Sequence, residues 1–161
     1  MLERDEDVFK KMQQSISSFQ STRAEQHLPY LITRLAEIYL KNGHISDALQ
    51  ALLDAQKMAD KNREGWWKAE IYRIKGEVLL TDPAGNQSEV ESCFQQAIEV
   101  ARNQQTKSLE LRAAMSMGRL WQSQGKIEEA KILLSEIYGW FTEGFDTADL
   151  KEARALLEEL S

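Results

Sequence analysis

The sequence predicts an all-α fold: helical hairpins stacked side by side and closed by a terminal capping helix. Three observations lead there. Apolar residues recur three or four positions apart along almost the whole chain, and no stretch sustains the alternation of a strand. Short links, several carrying glycine, separate these apolar stripes where helices need C-terminal caps. One residue pattern also repeats: Ala36, Tyr39, Gly43, Ala48, Leu52 and Ala55 return as Gly118, Trp121, Gly125, Ala130, Leu134 and Ile137, every interval identical. A middle copy, Gly76, Leu79, Phe94 and Ala97, lies between them with a link two residues longer, giving a period of 40 to 42 residues. Self-similarity at such a period marks a stacked array of supersecondary units.

Taken in order, Val8, Met12, Ile16 and Phe19 form the stripe of a lone leading helix over residues 5–21. It corresponds to the second helix of a pair whose first is missing. The first full pair carries Leu28, Leu31, Leu35, Ile38 and Tyr39, then Ile45, Ala48, Leu49, Leu52, Ala55 and Ala59. The second carries Trp67, Ile71, Ile74 and Val78, then Val90, Phe94, Ala97, Ile98 and Ala101. The third carries Leu109, Ala113, Met117 and Leu120, then Ile127, Ala130, Leu134, Ile137 and Phe141. Glycines in "KNGHIS", "DPAGNQS" and "SQGKIE" are read as left-handed caps, and Asn86 with Glu89 as a capping box. In "YGWFTEGFDTADL" the third pair ends near Gly144, Asp146 caps the next helix, and Phe145 staples onto Leu150. That aromatic cluster is thus a capped corner rather than a binding loop. The last helix lays Leu150, Ala153, Leu157 and Leu160 on the preceding pair. The single domain, 1–161, divides into a leading half-repeat (1–23), hairpins at 24–62, 63–105 and 106–143, and a capping helix (144–161).

Composition excludes several functions. The formal charge is −6, and residues 127–161 set nine acids against three bases, a balance that repels phosphate backbones and argues against direct nucleic-acid binding. No apolar run approaches a membrane span, and the acidic start "MLERDEDVFKK" has no signal-peptide core. Cys93 is the only cysteine, so no internal disulfide forms; it reads as a small core residue in a chain suited to the cytoplasm. His27 and His44 have no ligand cluster beside them, and phosphate-loop, dinucleotide, zincin and nucleophile-elbow motifs are all missing. The sequence therefore offers no catalytic, cofactor-binding or metal-binding residues.

The repeated small residue, aromatic, turn glycine, alanine and large apolar residue resemble the tetratricopeptide repeat (TPR) family, with helices longer than its usual 34-residue unit allows. "WWKAEIYRIKGEVLL", "FQQAIEVARNQQTKSLELRAAMSMGRLWQSQGK" and "IYGWFTEGFDTADLKEARALLEEL" further resemble the C-terminal repeat region of bacterial multidomain regulators. There a class III adenylate or guanylate cyclase domain, or a DNA-binding domain, precedes an NTPase module and a helical tail. The resemblance implies a right-handed α-α superhelix, protein interaction and a regulatory role in signal transduction, with catalysis elsewhere. A free-standing peptide-binding regulator is one alternative. An enzyme is another, and shifted His, Cys or carboxylate groups clustered in one pocket would mark it.

In such arrays the first helix of each pair lines a concave groove. Helical spacing then selects Tyr30, Thr33, Glu37 and Lys41 from the first pair, Glu70, Arg73 and Glu77 from the second, and Arg112, Met115, Arg119 and Gln122 from the third. Arg73, Arg112 and Arg119 would hold a carboxylate or acidic segment, unless they pair with neighbours such as Glu110. Trp66 cannot share the stripe of Trp67, so it either packs near Met58 or stands exposed as an anchor. The expected partners are a protein or peptide, or other domains of a parent protein. The uncovered flank of the leading helix adds self-association, or a place inside a longer array.

Overall fold

Seven helices run from Leu28 to Glu159 among the residues that the computed structural model describes, which are 11, 14, 17, 18, 27–61, 65–82 and 85–161. They are α1 (Leu28–Lys41), α2 (Ile45–Lys61), α3 (Lys68–Thr81), α4 (Gln87–Asn103), α5 (Lys107–Ser123), α6 (Ile127–Tyr138) and α7 (Ala148–Glu159). Residues 11, 14, 17 and 18 are helical and exposed, whereas the leading stripe of Val8, Met12, Ile16 and Phe19 lies outside the described residues.

Local chemistry explains the boundaries. Pro29 sits in the first turn of α1, where a missing N–H costs nothing. Gly43 and Gly125 take φ of +76° and +77°, and a Cβ at either would meet open space. Backbone conformation alone demands glycine there, and it lets His44 N–H reach Tyr39 O and Lys126 N–H reach Trp121 O, both at 2.9 Å. The same six-residue closure ends α4, with Thr106 N–H on Ala101 O at 2.9 Å, but its left-handed residue is Gln105 at φ 55°.

Gly85, expected from the sequence to be a third left-handed cap, is not one. A Cβ there would strike the carbonyl oxygens of Leu79 and Asp82, so close backbone approach is what excludes a side chain. Asn86 does cap α4, its side-chain oxygen accepting from Ser88 N–H at 3.0 Å, while Glu89 stands 3.6 Å from Lys75. The aromatic corner departs further from expectation. Helix α6 stops at Tyr138, well before Gly144, and Thr147 rather than Asp146 is the N-cap residue of α7, its hydroxyl bonding Gly144 O at 2.7 Å. Phe145 rests against the Tyr138 ring at 5.9 Å. Trp140 is edge-on to Phe141 at 5.3 Å beneath Lys107, leaving 60% of its surface exposed.

Each helix packs on the next along the chain, and α1, α3, α5 and α7 also touch one another in turn. These four form an inner layer, and α2, α4 and α6 form the outer one. Helix α5 is flanked by α3, α4, α6 and α7. It therefore buries Leu111, Ala114, Met115 and Gly118 in addition to the predicted Leu109, Ala113, Met117 and Leu120. On α7 the third buried position is Leu156 rather than Leu157, which stays partly exposed. Phe94 is fully buried among Val90, Ile98, Met117 and Leu120, with Gly76 beneath its ring. Cys93 is buried in α4 as expected, and burial pushes its thiol up, away from the reactive thiolate.

Candidate binding groove

The inner helices present one face to a cavity of about 380 Å³. Helical spacing along α1, α3 and α5 brings Glu37, Lys41, Glu70, Arg73, Glu77, Arg112, Met115 and Arg119 to its wall. Three residues predicted for the groove sit elsewhere. Thr33 is fully buried, its hydroxyl bonded to Pro29 O at 2.7 Å, because that position of α1 faces the core. Tyr30 is drawn into an aromatic cluster, edge-on to Trp67 at 4.7 Å and stacked on Trp66 at 6.2 Å. Gln122 lies beyond the cavity on α5. Trp66 stacks on Tyr30 and keeps 45% of its surface exposed.

The cavity also takes in Arg34, Leu40, Ile74 and Ser116, together with Asp149 and Glu152 from α7. Spacing could have found Arg34 and Ser116, which adjoin Glu37 and Met115 on the same helices. Asp149 and Glu152 carry no such signal, since the last helix reads as a cap and not as groove wall.

Arg73 organises the charges. Its Nε and Nη2 donate to the Glu70 carboxylate at 3.0 and 2.7 Å, Nη2 also reaches Glu37 at 3.3 Å, and Nη1 stands 3.6 Å from Glu77. Burial pulls the guanidinium towards deprotonation, but the hydrogen bond and charge of Glu70, with Glu77 and Glu37, more than offset it. Glu37, also paired with Arg34, is the opposite case: burial raises its carboxyl, and Arg34 and Arg73 only partly counter this. Glu70, 1% exposed, stands 3.7 Å from Arg112, whose Nε donates to Asp149 at 2.8 Å. Ser116 donates to Glu77 at 2.6 Å, and Arg119 to Glu152 at 2.6 Å. A continuous chain of opposite charges thus runs from Arg34 through Glu37, Arg73, Glu70 and Arg112 to Asp149, crossing all four inner helices.

Of the two readings of these arginines, the structure displays the paired one. Five basic side chains, Arg34, Lys41, Arg73, Arg112 and Arg119, meet five acidic ones, Glu37, Glu70, Glu77, Asp149 and Glu152. Nor is Glu110 a partner of the groove arginines. It is buried at the start of α5 and accepts from Lys107 at 2.7 Å and Arg102 at 2.9 Å. Burial raises its carboxyl, but these two bonds and their charges together hold it below the ordinary glutamate value. Among the described residues no group of three or more His, Cys, Asp or Glu is placed to hold a metal ion, and no helix is long and apolar enough to cross a membrane.

No protein-family model matches the chain, and no curated protein matches it. Solved structures do. A Podosopora anserina protein described as a kinesin light chain with nearly identical TPR-like repeats matches at TM-score 0.66 and 15% identity, over 97% of this chain and 77% of that one. A single-substitution variant of it matches at TM-score 0.68 and 14% identity, over 97% and 76%. The hairpin order, the two helix layers and these likenesses together give the chain the all-α superhelical fold of TPR-like repeat proteins.

Proposed function

We propose that the chain is a non-catalytic protein-interaction module that captures an extended peptide along the groove of α1, α3, α5 and α7. The observation that carries this reading is the cavity itself, walled by side chains of both signs from four successive inner helices over a floor of Leu40, Ile74 and Met115. Paired charges of this kind favour a ligand that brings both signs, since a purely acidic segment would face five carboxylates. Of the groups whose titration is shifted, only Glu37 and Arg73 share the groove, and they pair with each other instead of forming an acid/base couple. The finer reading is a regulatory tail of a cyclase-, NTPase- or DNA-binding regulator in the bacterial cytoplasm. It is supported by the sequence resemblance, and its test is whether the native polypeptide also carries such a domain.

The groove is tested by selecting binders from a random peptide library. The selected peptides are then measured against Arg112→Gln/Arg119→Gln. Glutamine is chosen because Asp149 and Glu152 stand opposite. Affinity should fall at least about tenfold, while Arg154→Gln on the outer side of α7 changes little. Equal affinity for wild type and the groove variant would place the interaction elsewhere.

A further inference from the structure

The internal repeat allows two equivalent packing sites to be compared position by position. Where α5 meets α4, the outer end is filled by Trp121, whose Nε1 donates to Glu91 at 2.8 Å, beside Phe94, Ile98 and Met117. Where α3 meets α2, the same repeat positions hold Leu79 for Trp121, Leu49 for Glu91, Leu52 for Phe94, Gln56 for Ile98 and Lys75 for Met117. An aliphatic residue thus replaces the indole, and the side chain that should cover it from within its own helix is a lysine turned out to Glu89 at 3.6 Å. Ile71 in place of Ala113 fills only the inner end, two turns from Leu79.

The result is an apolar cavity of about 250 Å³ between α2 and α3, walled by Leu49, Leu52, Leu53, Ile71 and Leu79 and rimmed by Gln56, Lys75 and Glu89. Leu53 is 47% exposed at its mouth, so the cavity opens to solvent. An apolar space of this size favours apolar molecules, because a ligand there takes its own apolar surface and that of the lining out of water. We infer that this cavity is a binding site for a small planar aromatic molecule of indole size. The ring would stand where Trp121 stands in the next repeat, with Gln56 and Glu89 at the rim to accept from a ring N–H.

The test is titration of the full chain with indole, followed by NMR of the leucine methyl groups. Saturable shifts confined to Leu49, Leu52, Leu53 and Leu79 are expected, with cyclooctanol, which has as many heavy atoms but is not planar, binding at least about fivefold more weakly. Leu79→Trp should fill the site from within and raise the indole Kd at least about tenfold. If that variant does not fold, Leu53→Lys, which sets a charge unable to accept a ring N–H at the exposed mouth, should weaken binding by a similar factor. Absence of saturable binding up to the solubility of indole would overturn the inference. So would shifts centred on Trp66 or Trp140, unchanged affinity in Leu79→Trp or Leu53→Lys, or equal binding of cyclooctanol.

Discussion

Gly76 and Gly118 occupy the same repeat position, yet alanine at the two sites should act with opposite sign. At Gly118 an added Cβ would stand 3.6 Å from a Leu156 methyl, an ordinary van der Waals contact. What remains is the helix-propensity difference between glycine and alanine, so Gly118→Ala should stabilise by about 1 kcal/mol. At Gly76 the Cβ would fall 2.7 Å from Cδ1 and 3.0 Å from Cζ of Phe94. That ring is fully buried among Val90, Ile98, Met117 and Leu120 and has nowhere to retreat. With three ring atoms this close, overpacking falls in the upper part of its usual range, about 2–3 kcal/mol, and after the propensity gain of about 1 kcal/mol Gly76→Ala should destabilise by about 1–2 kcal/mol. Circular dichroism during thermal unfolding reads both changes, with expected shifts of roughly 2–4 °C in Tm per kcal/mol for a chain of this size. Phe94→Leu, destabilising by itself through lost contact, should remove the penalty so that Gly76→Ala becomes neutral or favourable in that background. A stabilising Gly76→Ala, or a penalty that persists in the double variant Gly76→Ala/Phe94→Leu, would refute the clash as the cause.

Three further outcomes follow from the same structure. Gln105 holds a left-handed conformation that its side chain disfavours, so Gln105→Gly should stabilise by about 0.5–1 kcal/mol in a denaturant titration; no gain would mean the closure of α4 is not strained. Glu110 and Glu37 should respond oppositely to pH. The Glu110 carboxyl is lowered in the folded state, so its contribution is complete above the unfolded value of about 4.3 and lost as pH falls through the folded pKa. Glu110→Gln should therefore cost about 1–2 kcal/mol at pH 7 and little in acid. The Glu37 carboxyl is raised, so the benefit of its neutral form is full below about pH 4.3 and lost as pH rises through the folded pKa. Glu37→Gln, which mimics that neutral form, should leave stability at pH 7 unchanged or higher, and a marked loss there would contradict the direction of the shift. Arg73→Met should cost about 3–5 kcal/mol, because it strands the buried Glu70 carboxylate; a near-neutral effect in urea unfolding would mean Glu70 finds compensation from Arg112 alone.

The helices were legible because their signals are local. Stripes at three and four residues define which face is buried, and Gly43 and Gly125 are the residues a left-handed closure selects. Gln105 closes α4 in the same geometry without announcing it, since glutamine has no turn preference and only the fold forces its φ. Gly85 misled for the converse reason: glycine marks both left-handed backbone and close backbone approach, and sequence does not separate them. At the corner, Asp146 and Thr147 are adjacent cap formers, and periodicity cannot say which of two neighbours ends the helix.

The groove shows where such reading stops. That Glu37, Arg73 and Arg112 share a face follows from period 3.6 and the stacking of hairpins. Their pairing does not, because the contacts join residues 33 to 39 positions apart: Arg73 with Glu37, Ser116 with Glu77, Arg112 with Asp149, Arg119 with Glu152. Each depends on how one hairpin is seated on the next, which is set by core contacts such as Phe94 with Met117 and Leu120. A cluster of arginines on a helix face is therefore not yet an anion site. Whether its charge is available is decided by the neighbouring repeat, and here α7, a helix that looks like a plain cap, supplies the carboxylates that neutralise the far end of the groove.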